Sequence, residues 1–310
     1  MPDVICFGSL NMDLVCQLNH LPRVGETIAA DQLAWLPGGK GANQAVAAAR
    51  MGASVAMVGR VGSDAFGRQM LQVLQAEGIE TDTVAVDSAV GTGVAAVMVD
   101  GAGRNIIVTG ALANGQFCEA DLDRVEPLLA TAKVAILQME MPQALGESII
   151  RRAARSGALV LFNQAPANPV GPAVRPLVDV LVVNEVEAEA LSGLSVADPS
   201  SAGAAAVHLH ATGPRAVVVT LGGAGAVCYE GNGEPIHLAP PRVRPVDTTA
   251  AGDTFVGALA VTLAAGLPLV EAVAQAQYAA ALSTTRTGAI PSIPTLAEVQ
   301  AFRADQSHVE

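Results

Sequence analysis

The sequence predicts an α/β fold: a doubly wound, mostly parallel sheet with a small β-lid over the sheet's carboxyl edge. Two observations carry this. Short β-rich runs alternate with helical patterns along most of the chain, which is the signature of βαβ units. Two segments break the alternation, at about 13–36 and 93–109, and read as hairpin strands without crossover helices. In order, Val4 to Gly8 is a predicted strand, Ala42 to Met51 an Ala-rich helix, Val55 to Val58 a strand and Ala65 to Ala76 a helix. The lid strands Gly93–Val99 and Asn105–Thr109 are joined by Asp100-Gly101-Ala102-Gly103. Beyond them come strand Val134–Leu137 and a helix after Pro142, then strand Leu159–Phe162 and a short helix. Strand Val180–Val183 with helix Glu185–Leu191, strand Ala216–Val219, and an apolar-periodic helix from Thr254 to Gly266 follow. The Ala-rich stretch 202–206 reads as helix rather than linker.

With 310 residues, 51% of them hydrophobic, the chain can bury a large core, and one α/β domain spanning 1–310 is expected. A net charge of −12 argues against nucleic acid or an anionic membrane as partner. Any bound phosphate must then be held locally, by amides, a few cations or a metal. Cys6, Cys16, Cys118 and Cys228 show no CxxC or His-paired spacing, so neither a zinc site nor a disulfide framework is expected. The start of the chain has no basic segment before an apolar one, and no apolar run approaches a membrane span; a cytoplasmic setting is expected. Aromatic residues are 3% of the chain, so a sugar would be gripped by hydrogen bonds more than by stacking.

The richest stretch is Asp247-Thr248-Thr249-Ala250-Ala251-Gly252-Asp253, at the entrance of the helix that follows. Small residues at 250–252 let an anion approach the unpaired N–H groups of the first turn, where the helix dipole also favours negative charge. A carboxylate beside such a cradle suits phosphoryl transfer to a hydroxyl, because it can take the hydroxyl proton. From the residues alone, Asp253 could equally be a helix cap. Nucleotide-loop patterns fail: Gly39-Lys40 is followed by Gly41 rather than Ser or Thr, and Gly222, Gly223 and Gly225 do not complete GxGxxG. Pro37 to Gln44 is a second glycine-rich helix entrance carrying Lys40 and Asn43, and could be turn punctuation instead. Asn11 and Asp13 follow the first strand, where a ligand at its carboxyl end could be reached, and surface turn residues would show the same pattern. Asn184 and Glu187 could order a hydrated magnesium or form a capping box, and Thr220 to Gly225 could lie under a nucleotide.

Taken in order, Gly8-Ser9-Leu10-Asn11-Met12-Asp13, Gly38 to Ala45, Asn184 to Glu189 and Asp247 to Phe255 resemble the ribokinase family of carbohydrate kinases, which also includes fructokinases and adenosine kinases. The resemblance spans nearly the whole chain. It implies a ribokinase-like fold and ATP-dependent phosphorylation of a furanose sugar, D-ribose first, at its primary 5-hydroxyl. Another small sugar, such as 2-deoxyribose, another pentose or a ketohexose, is the alternative acceptor, and a catalytically silent sugar or nucleotide sensor the alternative class. Asp253 matches the base, with the amides of Ala250, Ala251 and Gly252 as anion hole. Asn11, Asp13, Gly39, Lys40, Asn43 and Glu140 match sugar positions. Asn184 and Glu187 match residues that organise magnesium and phosphates, and Thr220, Gly222, Gly225, Gly252 and Gln277 the nucleotide side. Asp247, Thr249, Ser283, Arg286, Gly288 and Ser292 match a monovalent-cation site, generally potassium. A homodimer through the lid is expected. Departures from the family pattern fall at Asn163-Gln164-Ala165-Pro166, Ala111-Leu112-Ala113-Asn114, Ile290 and Gln277.

Overall fold

Two sheets organise the chain in the computed structural model, which describes residues 1–101 and 104–307. In chain order the strands are β1 (Val4–Phe7), β2 (Asn11–Leu18), β3 (Gln32–Gly38), β4 (Val55–Gly62), β5 (Val84–Asp87), β6 (Gly93–Asp100), β7 (Asn105–Gly110), β8 (Val134–Leu137), β9 (Leu159–Asn163), β10 (Val180–Asn184), β11 (Ala216–Thr220), β12 (Ala226–Tyr229) and β13 (Ile236–Leu238). The helices are α1 (Lys40–Arg50), α2 (Ala65–Ala76), α3 (Glu119–Leu122), α4 (Glu126–Leu129), α5 (Gln143–Ser156), α6 (Glu185–Ser192), α7 (Pro199–His210), α8 (Ala251–Ala264), α9 (Leu269–Ser283) and α10 (Leu296–Ser307).

The larger sheet runs β13-β12-β11-β10-β9-β8-β1-β4-β5. Its strands from β11 to β5 pair in parallel, and β12 and β13 are antiparallel additions at one edge. Parallel strands covered on both faces read as unbroken apolar runs, and β1 (VICF) and β8 (VAIL) are buried at every position. One face packs on α1, α8 and α9 through Ala42–Ala48, Phe255–Ala260 and Ala272–Ala279. The other packs on α5, α7 and the short α3 and α4. β1 lies between β8 and β4, so the chain winds away in both directions from that point. Ligands of doubly wound sheets bind outside the strand ends at such a switch point.

The smaller sheet, β3-β2-β6-β7, grows directly out of the switch point, because β2 follows β1 after only Gly8-Ser9-Leu10. Asn11 begins β2 with Gly38 opposite it on one side and Gly93 on the other. The expected hairpins are therefore present, with the first confined to 11–18 and 32–38. Ala102 and Gly103 of the expected turn lie outside the described residues. One face of this sheet exposes Leu33, Trp35, Ile106 and Val108, and the opposite face, which carries Asp13, exposes Ile107. No helix among the described residues is long and apolar enough to cross a membrane.

The short helix expected after β9 is a single 3₁₀ turn, Arg175–Leu177, since Pro166, Pro169 and Pro172 break the intervening segment. The sequence pattern does not predict β5, β12, β13, α9 or α10, nor the four-residue α3 and α4. The three strands are only three or four residues long, and α9 has Ala around most of its circumference, so neither presents a clear period.

Candidate active site

The entrance of α8 is held open by its backbone. Ala250 takes the left-handed conformation with φ 59°, and its carbonyl accepts from both the N–H (2.8 Å) and the hydroxyl (2.9 Å) of Thr254. Of the three amides expected in the anion cradle, that of Ala251 donates to the Thr248 carbonyl at 3.2 Å and closes the preceding turn. The N–H groups of Ala250, Gly252 and Asp253 have no protein acceptor among the described residues. A Cβ at Gly252 would meet nothing within 4 Å, so the cradle has room in front of it. It opens into a cavity of about 240 Å³ lined by Lys40, Asn184, Glu187, Thr220, Thr248, Ala250, Gly252 and Asp253 among others.

Asp253 does not cap its helix. The cap position is Ala250, and Asp253, two residues into the helix, turns its carboxylate towards α1. Asn43 Nδ2 donates to its Oδ2 and Gln44 Nε2 to its Oδ1, both at 2.9 Å. Gln44 Nε2 also reaches Asn163 Oδ1 at 3.0 Å, while Gln44 Oε1 accepts from Gln138 Nε2 at 2.5 Å. Asn163 Nδ2 in turn donates to the Val182 carbonyl at 3.1 Å. Gln44, Gln138 and Asn163 were not picked out as site residues from sequence. Gln44 sits in the glycine-rich motif and could have been; Gln138 lies one residue past an apolar strand and carries no local signal.

A second cavity, about 620 Å³, lies under the smaller sheet and shares Lys40 and Glu187 with the first. Its walls include Ser9, Asn11, Asn114, Glu140 and Met139. Ser9 Oγ donates to Glu140 Oε2 at 2.5 Å, and Asn114 Nδ2 to Asn11 Oδ1 at 2.8 Å. Asn114 also spans to the Leu10 backbone, which ties the end of the smaller sheet to the switch point. The glycines here are required by contact: a Cβ at Gly38 would lie 2.2 Å from Asp13 Oδ2, and Gly39 has φ 92° with the Asn11 N–H 2.8 Å from where its Cβ would be. Asp13 Oδ1 and Asn43 Oδ1 are buried without a protein partner. Both suit the hydroxyl donors of a polar ligand. Burial first, then the nearby Glu140 and Asp253 charges, push the Asp13 carboxyl up to about 7. Lys40 is shifted upwards, chiefly by Asp253, with burial opposing and Glu140 and Glu187 adding to the effect.

Asn184 and Glu187 form a reciprocal capping box: Glu187 N–H donates to Asn184 Oδ1 (2.8 Å) and Asn184 N–H to Glu187 Oε2 (2.9 Å). Burial nonetheless raises the Glu187 carboxyl, against that N–H bond and Lys40. Thr220 lines the first cavity, while Gly222, Gly225 and Gln277 lie outside its wall. Gly225 and Gln277 are neighbours, since a Cβ at Gly225 would come within 3.1 Å of Gln277 Oε1, itself buried without a partner. Asp247 gathers the other expected loop: its Oδ1 accepts from Thr249 N–H (2.9 Å) and its Oδ2 from Gly288 N–H (2.8 Å). The Ser283 and Ser292 hydroxyls donate to carbonyls three residues back, and Arg286 pairs with Glu298 at 2.7 Å. A guanidinium offers no acceptor, so the backbone carbonyl is the group of Arg286 that could face a cation. Ile290, a departure from the family pattern, is buried, and its carbonyl accepts from Arg50 Nη1 at 3.0 Å. Leu112, another departure, adopts φ 45°, a conformation glycine takes without cost.

A family model described as pfkB family carbohydrate kinase matches residues 1–296. The chain belongs to the pfkB family of carbohydrate kinases. It is 40% identical to the ribokinase of Mus musculus over 296 residues, covering 94% of this chain and 91% of the mouse protein. It is 38% identical to the ribokinase of Haemophilus influenzae, covering 95% and 96%. Its backbone is similar to the structure of Arabidopsis thaliana ribokinase complexed with ribose and ATP, with TM-score 0.88, 31% identity, and 97% and 98% of the two chains covered. In this pfkB kinase the two cavities meet at Lys40 and Glu187, and Asp253 lies in the wall of the smaller one.

The half-buried Asp13, whose Oδ1 is sealed from solvent, yields a pH test on the ligand-free protein. Its folded value of about 7 lies above the unfolded value of 3.8, so the folded state binds the extra proton between them and stability falls as pH rises through that window. Asp13→Asn is expected to raise the thermal midpoint at pH 8, and the gain should vanish near pH 4. Melting curves at the two pH values check this; an equal shift at both would contradict it.

Proposed function

We propose that the chain catalyses ATP-dependent phosphorylation of D-ribose at its primary 5-hydroxyl. The observation that carries the reading is a buried carboxylate, Asp253, held beside free helix-entrance amides in the wall of the smaller cavity, which shares Lys40 and Glu187 with the larger one. The sugar occupies the larger cavity. Asn11, Asp13, Gly39, Lys40, Asn43 and Glu140 grip its hydroxyls, and the orphaned oxygens of Asp13 and Asn43 accept from them. The nucleotide lies over Thr220, Gly222, Gly225 and Gln277, with its phosphates towards the smaller cavity. Asp253 takes the proton of the 5-hydroxyl as the hydroxyl attacks, while the Ala250 and Gly252 amides and Lys40 offset charge on the migrating group. The acceptor is supported by the ribokinase relatives and by the likeness to a ribokinase that binds ribose and ATP.

Magnesium on the phosphates would be ordered through water by Asn184 and Glu187, whose capping box leaves a second Glu187 oxygen uncommitted. The ion supplies charge neutralisation between phosphate oxygens. Potassium would sit in the loop of Asp247, Thr249, Ser283, Arg286, Gly288 and Ser292. The donors there are oxygens, which suits a hard cation, and Asp247 already fastens residues 249 and 288. The protein works as one unit over 1–310, with the smaller sheet as lid and its exposed apolar face, Leu33, Ile106 and Val108, covered by a second copy in a homodimer. Light scattering reads this directly: a monomer at micromolar concentration would oppose it.

Three further outcomes are expected. Asp253→Asn lowers turnover by roughly 10²- to 10⁴-fold, the range of a general base, with sugar and nucleotide affinity changed by a small factor. Near-normal turnover in a coupled assay would refute the base. Ribose exceeds 2-deoxyribose in kcat/KM by at least about tenfold, because the missing hydroxyl leaves a buried acceptor unpaired; equal or reversed preference removes ribose as the acceptor and leaves the kinase. Replacing potassium by a bulky organic cation lowers activity, and full activity without potassium would discard the cation loop.

A further inference from the structure

We infer that Gln44 is a positioning residue for Asp253, braced from behind by Gln138; the inference rests on reading Asp253 as the base. Two donors fix the plane of the Asp253 carboxylate, one on each oxygen. They differ in what else they can do. Neither residue lines a cavity wall, but Asn43 keeps an Oδ1 without a protein partner that a ligand hydroxyl could use, whereas Gln44 is fully buried with both its Nε2 and its Oε1 committed to protein partners. Gln44 therefore acts on the reaction only through the carboxylate it holds.

The surroundings of Gln44 leave it little freedom. Its Nε2 is shared between Asp253 Oδ1 and Asn163 Oδ1, and its Oε1 is the acceptor for Gln138, also fully buried. The amide dipoles of Gln138 and Gln44 follow one another, each pointing an N–H towards the carboxylate, so each bond polarises the next. Gln138 Oε1 is left without a partner, which is a cost that a core selected for stability alone would avoid. Backbone contact sets the distance: at Gly257 of α8 a Cβ would meet the Gln44 carbonyl at 2.6 Å and Ala47 Cβ at 2.5 Å. Only a glycine lets α8 bring Asp253 this close to α1. A displaced base loses rate steeply, about 10²-fold for 1 Å.

The test is a double-mutant cycle on turnover. Gln44→Met keeps the length of the side chain and removes its amide. In the native background it should lower kcat roughly 10- to 100-fold, with KM for ribose and ATP moving less than about threefold. In the Asp253→Asn background the same substitution should change the residual kcat less than about threefold, because nothing remains to be positioned. Gln138→Met, one bond further away, should show a smaller fall that also disappears in that background, and it serves if melting curves show that Gln44→Met does not fold. An equal factor in both backgrounds, or an unchanged kcat in the single variants, overturns the positioning role. Near-normal turnover of Asp253→Asn alone would instead overturn the base.

Discussion

The contact between the entrances of α1 and α8 is the constraint on which the rest of the site depends. α1 offers two side-chain amides, Asn43 and Gln44, and α8 offers one carboxylate, Asp253, and the three meet out of solvent. An isolated buried carboxylate would be costly; two amide donors and the nearby Lys40 offset that cost. The helices can approach because Gly257 carries no side chain where α8 crosses α1. Core packing and site geometry are thus set by the same residues.

Charge is the second constraint. The chain carries 29 acidic and 17 basic residues, and the walls of the two cavities themselves carry Asp253, Glu187 and Glu140. Lys40 is the basic residue in the walls of both cavities, and its upward shift reflects how much acidic charge it already faces. Helix-entrance amides add positive potential without adding another side chain. The capping box at Asn184 and Glu187 shows the same economy. It terminates a strand, starts a helix and keeps a carboxylate at the rim of both cavities.

Much of this was legible in the sequence, for physical reasons. Doubly covered parallel strands read as short apolar runs, and β8 runs over the same residues in both readings, Val134–Leu137. Helix entrances rich in glycine and small residues mark Lys40 and Ala251. Two ambiguities needed coordinates. A carboxylate at a helix start reads as a cap until its partners are known, and Asp253 finds its partners 209 and 210 residues away. The Asn184 and Glu187 pair is a capping box, whatever else it does. Gln138 was invisible because its importance lies in a hydrogen bond to a residue 94 positions distant. The Ala251 amide, expected in the cradle, is spent on Thr248 because the left-handed Ala250 turns the chain back on itself.

A crystal structure of the protein with ribose, magnesium, ADP and aluminium fluoride, a mimic of the transferring phosphoryl group, tests the central claim most directly. The account predicts the ribose 5-hydroxyl within hydrogen-bond distance of an Asp253 carboxylate oxygen, the fluoride on the Gly252 amide, and Gln44 still donating to Asp253. A sugar whose 5-hydroxyl faces away from Asp253, or a fluoride group that avoids the α8 entrance, would contradict it.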